Sequence, residues 1–279
     1  MLLGVHCSIS GGIENAINEA HDLGINIFQI FTKNQRMWQE KKYTPEEGDA
    51  FKDMMKAKGM KMAFSHTTYL LNLASSDPEL RKKSINGLAN ELSRCHILGL
   101  PFAVLHPGSN KAITEEEAIR AIANSLNEVF ELTPNLDTKV LLENTAGQGT
   151  TIGRAFYQLK GIIDQVERKN RLGICFDTCH AFAAGYDIRT QSGIEQALSE
   201  VHKEVGIENL LAFHLNDSKG DLGSKLDRHD HIGKGKLGLE PFRYIINRFP
   251  DVPKVLETEK EGEMDRVNIT LLRQLIENP

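Results

Sequence analysis

The chain has 279 residues, 40% of them hydrophobic and 25% charged, with a formal net charge of −5. These are ordinary values for a soluble globular fold, and no apolar run reaches the length of a membrane span, so the reading excludes a membrane partner. The negative charge weighs mildly against nucleic acid. Met1-Leu2-Leu3-Gly4 reads as the start of a strand and not as a signal peptide. The four cysteines form no CxxC pair, which fits a reducing cytoplasm better than a disulfide framework.

Taken in order, strand-like and helix-like runs alternate along the whole chain. Residues 2–7 lead to an amphipathic helix over 13–23, and 27–32 to a helix beginning near Pro45. Residues 61–66 precede a long helix entered at Asp77-Pro78, with Asp as N-cap and Pro as first helical residue. Residues 102–106 precede Thr114-Glu115-Glu116-Glu117, a capping box with acids in the first turn. The series continues with strands over 139–144, 172–177, 210–216 and 254–258, followed by helices over 155–168, 194–205, 239–247 and 263–276. Eight β/α units spaced roughly 35–40 residues apart after the first predict a closed (β/α)₈ TIM barrel, α/β in class and a single domain over 1–279. A doubly wound open sheet is the alternative.

Six of the apolar runs end in a residue able to bind metal. They are Phe64-Ser65-His66, Val104-Leu105-His106, Leu141-Leu142-Glu143, Phe176-Asp177, Phe213-His214 and Leu256-Glu257. In a barrel all six lie on the carboxyl face, where active sites form. Strand alternation stands Glu143 above Leu141, Asp177 above Cys175 and His214 above Ala212. His180 follows closely, and Asp227 and His229, spaced i and i+2 in an extended loop, face one way; these three make a His₂Asp set with an open position. Nine such residues on one face suit three ions, or two with spares, because an uncompensated cluster would be costly. Imidazole and carboxylate without thiolate fit Zn²⁺ best, with Mn²⁺ or Fe²⁺ open at one position. Three divalent ions would more than cancel the net charge of −5, so that charge decides little. His21, His96 and His202 fall on helices and read as surface or packing residues. His6 and His231 lie near the top face, within reach of supporting hydrogen bonds. Cys175 and Cys179 read as packed small residues.

The motifs resemble the endonuclease IV family of AP endonucleases, zinc-dependent DNA-repair barrels. The matching segments are Gly4-Val5-His6 with Ser10-Gly11-Gly12, Phe31-Thr32-Lys33-Asn34-Gln35-Arg36, and His66 with Tyr69-Leu70-Leu71-Asn72-Leu73. They continue through His106-Pro107-Gly108, Glu143-Asn144-Thr145-Ala146-Gly147-Gln148-Gly149, Asp177-Thr178-Cys179-His180, His214-Leu215-Asn216-Asp217, Asp227-Arg228-His229 and Leu256-Glu257-Thr258. The resemblance spans essentially the whole chain and leaves Asp230 without a place. It implies hydrolysis 5′ to abasic sites in double-stranded DNA, leaving 3′-hydroxyl and 5′-deoxyribose phosphate ends, by a monomer carrying three zinc ions. It further implies that the catalytic Glu143 bridges two ions, that His66 and His106 complete one, and that Asp177, His214 and Glu257 complete the other. His180, Asp227 and His229 would hold the third.

The same resemblance makes Asn34, Arg36, Tyr69 and Leu70 DNA-binding residues, with Arg36, Tyr69 and Leu70 entering the helix at the lesion. The stretch from Lys33 to Trp38 carries amide, cation and aromatic groups suited to phosphate contact and wedging, and equally suits a solvated cap. Gly147-Gln148-Gly149 is a weak phosphate-loop signal. The Gly-rich run from Gly220 to Gly238, with Lys219, Lys225, Lys234 and Lys236, reads as a mobile loop over the site. Two alternatives stand beside this reading. A metal-dependent sugar isomerase or epimerase on the same barrel would need only one or two ions and no Asp227/His229 pair. A non-catalytic DNA-binding or scaffold protein would have no use for open coordination positions.

Overall fold

In the computed structural model, which describes residues 1–277, the eight apolar runs close into a parallel barrel. The chain begins β1 (Leu3–His6), α1 (Glu14–Asp22), β2 (Ile27–Ile30), α2 (Pro45–Ala57), β3 (Met62–His66), α3 (Pro78–Leu98), β4 (Phe102–Leu105) and α4 (Glu115–Leu132). It continues with β5 (Lys139–Glu143), α5 (Phe156–Gln165), β6 (Leu172–Asp177), α6 (Thr178–Ala184), α7 (Gln191–Val205) and β7 (Leu210–His214). The last elements are β8 (Asp217–Ser218), β9 (His229–Asp230), α8 (Glu240–Arg248), β10 (Lys254–Leu256) and α9 (Met264–Gln274). Barrel neighbours follow chain order from β1 to β7, and β10 closes the ring between β7 and β1. The open-sheet alternative is thereby excluded. β8 and β9 form a separate antiparallel ribbon above the barrel's carboxyl face.

Local chemistry sets the helix starts. Thr44 and Thr114 each cap their helix and are capped in return by Glu47 and Glu117, and Asp77 accepts the Glu79 and Leu80 amides ahead of Pro78. α3 ends at Gly99, whose φ of 70° is the left-handed cap that glycine adopts freely. Between strands and helices lies a continuous apolar layer that includes Phe28, Leu142, Phe176 and Phe213. Burial on both faces is why these strands read as unbroken apolar runs.

A second, smaller cluster fills the barrel: Ile27, Phe64, Val104, Leu141, Cys175, Ala212 and Val255. Each sits two residues before Gln29, His66, His106, Glu143, Asp177, His214 and Glu257 respectively, so alternation raises those seven side chains onto one floor. β1 reaches the interior through Gly4, where a Cβ would lie 2.0 Å from the Ile27 carbonyl oxygen.

Strand ends fall short of the sequence pattern at the carboxyl rim. β10 stops at Leu256, where its pairing with β1 ends at Val5, and the Glu257 amide turns to the Asn216 side chain instead of the ladder. α6 is an element that pattern alone missed: Asp177 ends β6 and at once caps a new helix, its carboxylate accepting from the His180 amide at 2.7 Å. The 219–238 segment is not a loose flap. Asp217 accepts the amides of Gly233, Gly235 and Leu237, and Gly223 and Lys225 donate to the carbonyls of Phe182 and Ala183 in α6.

Candidate metal centre

The nine residues singled out by strand-end pattern and loop spacing converge on the carboxyl face in three groups, and a further group sets Cys179 beside Asp177 and His229. His66, His106 and Glu143 form one, Glu143, Asp177, His214 and Glu257 a second, and His180, Asp227 and His229 a third; in each, one donor atom per residue lies within 4.8 Å of the others. Glu143, fully buried, belongs to two groups because its oxygens point opposite ways. Oε2 lies 3.2 Å from His66 Nε2 and 3.0 Å from His106 Nε2, while Oε1 lies 2.8 Å from His214 Nδ1. In the third group Asp227 Oδ1 is 3.1 Å from His180 Nε2 and 3.4 Å from His229 Nε2.

Supporting hydrogen bonds aim these side chains. His66, His180 and His229 place Nδ1 against the carbonyls of Thr67, Asn144 and Glu257, which directs Nε2 to the carboxylates. Asp177 is held from both sides. Asn144 accepts its amide and donates to its carbonyl, and Asn216 donates to Oδ2 at 2.7 Å while accepting the Glu257 amide. Sequence pattern assigned no role to Asn144, Asn216 or Gln29. The signal for Gln29 is one fully buried polar residue within an otherwise apolar strand.

Burial opposes charge on Glu143 and His180, yet their neighbours favour the charged form of each. The His214 and His106 imidazoles hold the Glu143 carboxyl well below the usual carboxylate range. Burial likewise opposes charge on His180, and Asp177, Asp227 and Glu143 still raise its pKa well above the ordinary imidazole value. Carboxylates this deeply buried need positive charge beside them. Imidazole nitrogens and carboxylate oxygens at this density fit divalent zinc-like ions, and His106, His229 and Asp227 are partly exposed to the cavity mouth.

Tyr69 is 61% exposed and stands over the centre, its ring 5.5 Å from His66 and 5.7 Å from His106 between centroids. Leu70 is half-buried beside it, and Arg36 is exposed. Asn34 accepts the Arg36 amide at 2.9 Å, so its side chain shapes the turn that presents Arg36. Lys33 and Trp38 correct the expectation of a loop free for phosphate contact and wedging. Lys33 is 6% exposed and donates to the Met37 and Gln39 carbonyls, and Trp38 packs on the core with Lys83 over its ring. Gln148 accepts the Asp227 amide, tying the Gly147–Gly149 turn to the third group. Asp230 pairs with Asp217 in the ribbon. His6 lies 3.9 Å from Glu257, whereas His231 turns away to Asn268 and Glu261. Cys175 lies in the barrel floor, and Cys179 is buried against the Arg228 carbonyl. His21, His96 and His202 are exposed on their helices.

A closed parallel barrel with a histidine–carboxylate cluster at its carboxyl face defines a class, and the model of a xylose isomerase-like TIM barrel matches residues 17–275. Within that class the similarity is narrower. A probable endonuclease 4 of Citrifermentans bemidjiense is 47% identical over 280 aligned residues, covering 99% of both chains. The crystal structure of endonuclease IV from Thermus thermophilus superposes with a TM-score of 0.88 at 34% identity, over 99% of this chain and 98% of that one. The chain belongs to the endonuclease IV family, the AP-site endonucleases of DNA repair. A D-tagatose 3-epimerase-like protein also superposes, with a TM-score of 0.78 over 99% and 97% of the two chains, but at 18% identity it shares the fold alone.

Proposed function

We propose that the chain hydrolyses the phosphodiester 5′ to an abasic site in duplex DNA, leaving a 3′-hydroxyl and a 5′-deoxyribose phosphate, with three divalent ions, chiefly zinc. The observation that carries this reading is the shared, fully buried Glu143 with a donor group on either side and the His180–Asp227–His229 set beside them. His66, His106 and Glu143 would hold one ion, Glu143, Asp177, His214 and Glu257 the second, and His180, Asp227 and His229 the third. Ions bound there supply positive charge against the phosphate and acidify water.

The chain's own residues do the rest. A cavity of about 280 Å³ opens over the centre, and Tyr69, Lys219 and Arg228 line it. Arg228, exposed there, and Lys219, which pairs with Glu259 at 3.4 Å, would turn to the DNA backbone, and Asn34 presents Arg36 from the loop after β2. Tyr69 and Leu70 provide an aromatic and an apolar surface against which a duplex lacking a base unstacks at low cost. A binding partner of this kind and four free, buried cysteines agree with a cytoplasmic protein.

Purified protein is expected to carry close to three transition-metal ions per chain, mainly zinc, and to nick a duplex at a single abasic site. Metal analysis of replete protein giving one ion would favour a simpler mononuclear barrel enzyme instead. Replacing Tyr69 and Leu70 together by Ala should leave metal content unchanged and raise the Kd for abasic duplex by ~10–100-fold, since one lost aromatic stack costs about 1–3 kcal/mol. Unchanged binding combined with lost metal or lost folding would mark both as packing residues.

A further inference from the structure

Among the candidate ligands, His66, His180 and His229 are each fixed by a backbone carbonyl. Among the described residues no carbonyl does this for His214. Its Nε2 lies instead 2.8 Å from Gln29 Oε1, and its Nδ1 faces Glu143 and Glu257 at 2.8 and 3.1 Å. Glu257 settles which way the Gln29 amide points. An ionised carboxylate only accepts, so the Gln29 atom 2.6 Å from Glu257 Oε1 is the amide nitrogen. The other amide atom is therefore oxygen, which also only accepts. The His214 nitrogen facing it donates, which leaves Nδ1, set between Glu143 and Glu257, as the nitrogen that an ion bound among these carboxylates would take. The second amide proton meets His6 Nδ1 at 3.0 Å, so the fully buried amide has all its partners.

We propose that Gln29 is a positioning residue of the metal centre. It fixes His214 with Nε2 protonated and Nδ1 turned to the ion shared with Glu143, Asp177 and Glu257. It also engages Oε1 of Glu257, leaving Oε2 for the same ion. This rests on the three-ion reading above.

The test uses zinc-loaded full-length protein with Gln29→Met, which keeps length and removes hydrogen bonding, and Gln29→Glu, which keeps an acceptor for His214. Zinc affinity is read by chelator competition and the His214 ring by ¹H–¹⁵N NMR. Gln29→Met is expected to bind one of its three ions ~10–100-fold more weakly and to lose the protected Nε2–H signal, while the ion at His180, Asp227 and His229 stays. Gln29→Glu is expected to keep that signal. Wild-type chelator competition with an unchanged His214 signal in Gln29→Met would overturn the assignment, as would equal weakening of all three ions. If Gln29→Met does not fold, Gln29→Glu decides: a retained Nε2–H signal supports the role, and a proton on Nδ1 overturns it. Wild-type protein that binds no zinc would remove the three-ion reading and this role with it, whereas three ions held equally by wild type and variants would remove only the role of Gln29.

Discussion

Glu143→Gln is expected to fold normally and to cleave an abasic duplex more slowly by on the order of 100-fold or more, the scale of losing one preorganised electrostatic group at a reacting phosphate. The side chain is fully buried, so matching its volume preserves the packing around Leu141 and Val104. What changes is charge and donor pattern. Both carboxylate oxygens face imidazole nitrogens, Oε2 toward His66 and His106 and Oε1 toward His214. An amide can offer only one acceptor, and its NH₂ must then point at one of those two groups. One or both ions assigned to the groups sharing Glu143 should be lost or loosened. The ion assigned to His180, Asp227 and His229 should remain, because His180 and His229 face Asp227 through Nε2, and the His180 Nδ1 that lies 3.4 Å from Glu143 is also held by the Asn144 carbonyl. Circular dichroism, metal analysis and single-turnover cleavage together check this. Near-normal cleavage with full metal occupancy would remove Glu143 from the mechanism, and simultaneous loss of every ion would make the three groups one cooperative site.

Arg94→Leu is expected to destabilise the fold by about 3–5 kcal/mol, the scale for stripping one partner from a buried ion pair. Arg94 and Glu91, both buried on α3, pair with each other and form a network with the rim of the barrel. Glu91 accepts from Thr32 at 2.8 Å and from Ser65, and Arg94 donates to Thr32 at 2.7 Å and pairs with Glu40. Thr32 leads into the loop that presents Arg36, and Ser65 precedes His66. The network therefore ties one helix to both the proposed DNA-facing loop and the metal centre. Removing Arg94 leaves the Glu91 carboxylate buried beside two hydroxyls. Urea unfolding should give a lower midpoint with an unchanged slope. The double variant Glu91→Leu with Arg94→Leu should recover part of the loss, since the two residues are in contact. A loss below about 1 kcal/mol in Arg94→Leu would mean that the pair is effectively solvated, as exposed pairs are.

The amino-acid sequence by itself determined the architecture and most of the candidate centre. Parallel strands buried on both faces must be apolar, so each appears as a compact run that ends abruptly where the chain meets the polar face. That is why Glu143, Asp177 and His214 are visible at strand ends, and why Thr44, Asp77 and Thr114 mark helix starts from a few neighbouring residues. What only the tertiary structure decided depends on directions that short segments do not encode. β2 is four residues long, and whether Gln29 faces the interior or the helices follows from the register that sets Gly4 against Ile27. Lys33 and Trp38 have the composition of a binding loop but turn inward: Lys33 closes the loop on the carbonyls of Met37 and Gln39, and Trp38 packs on a core built from other elements. Glycines and lysines between 219 and 238 resemble a flexible flap until Asp217 and the carbonyls of α6 gather their amides. Side-chain type and spacing are local properties; which of those side chains face one another is settled by barrel closure.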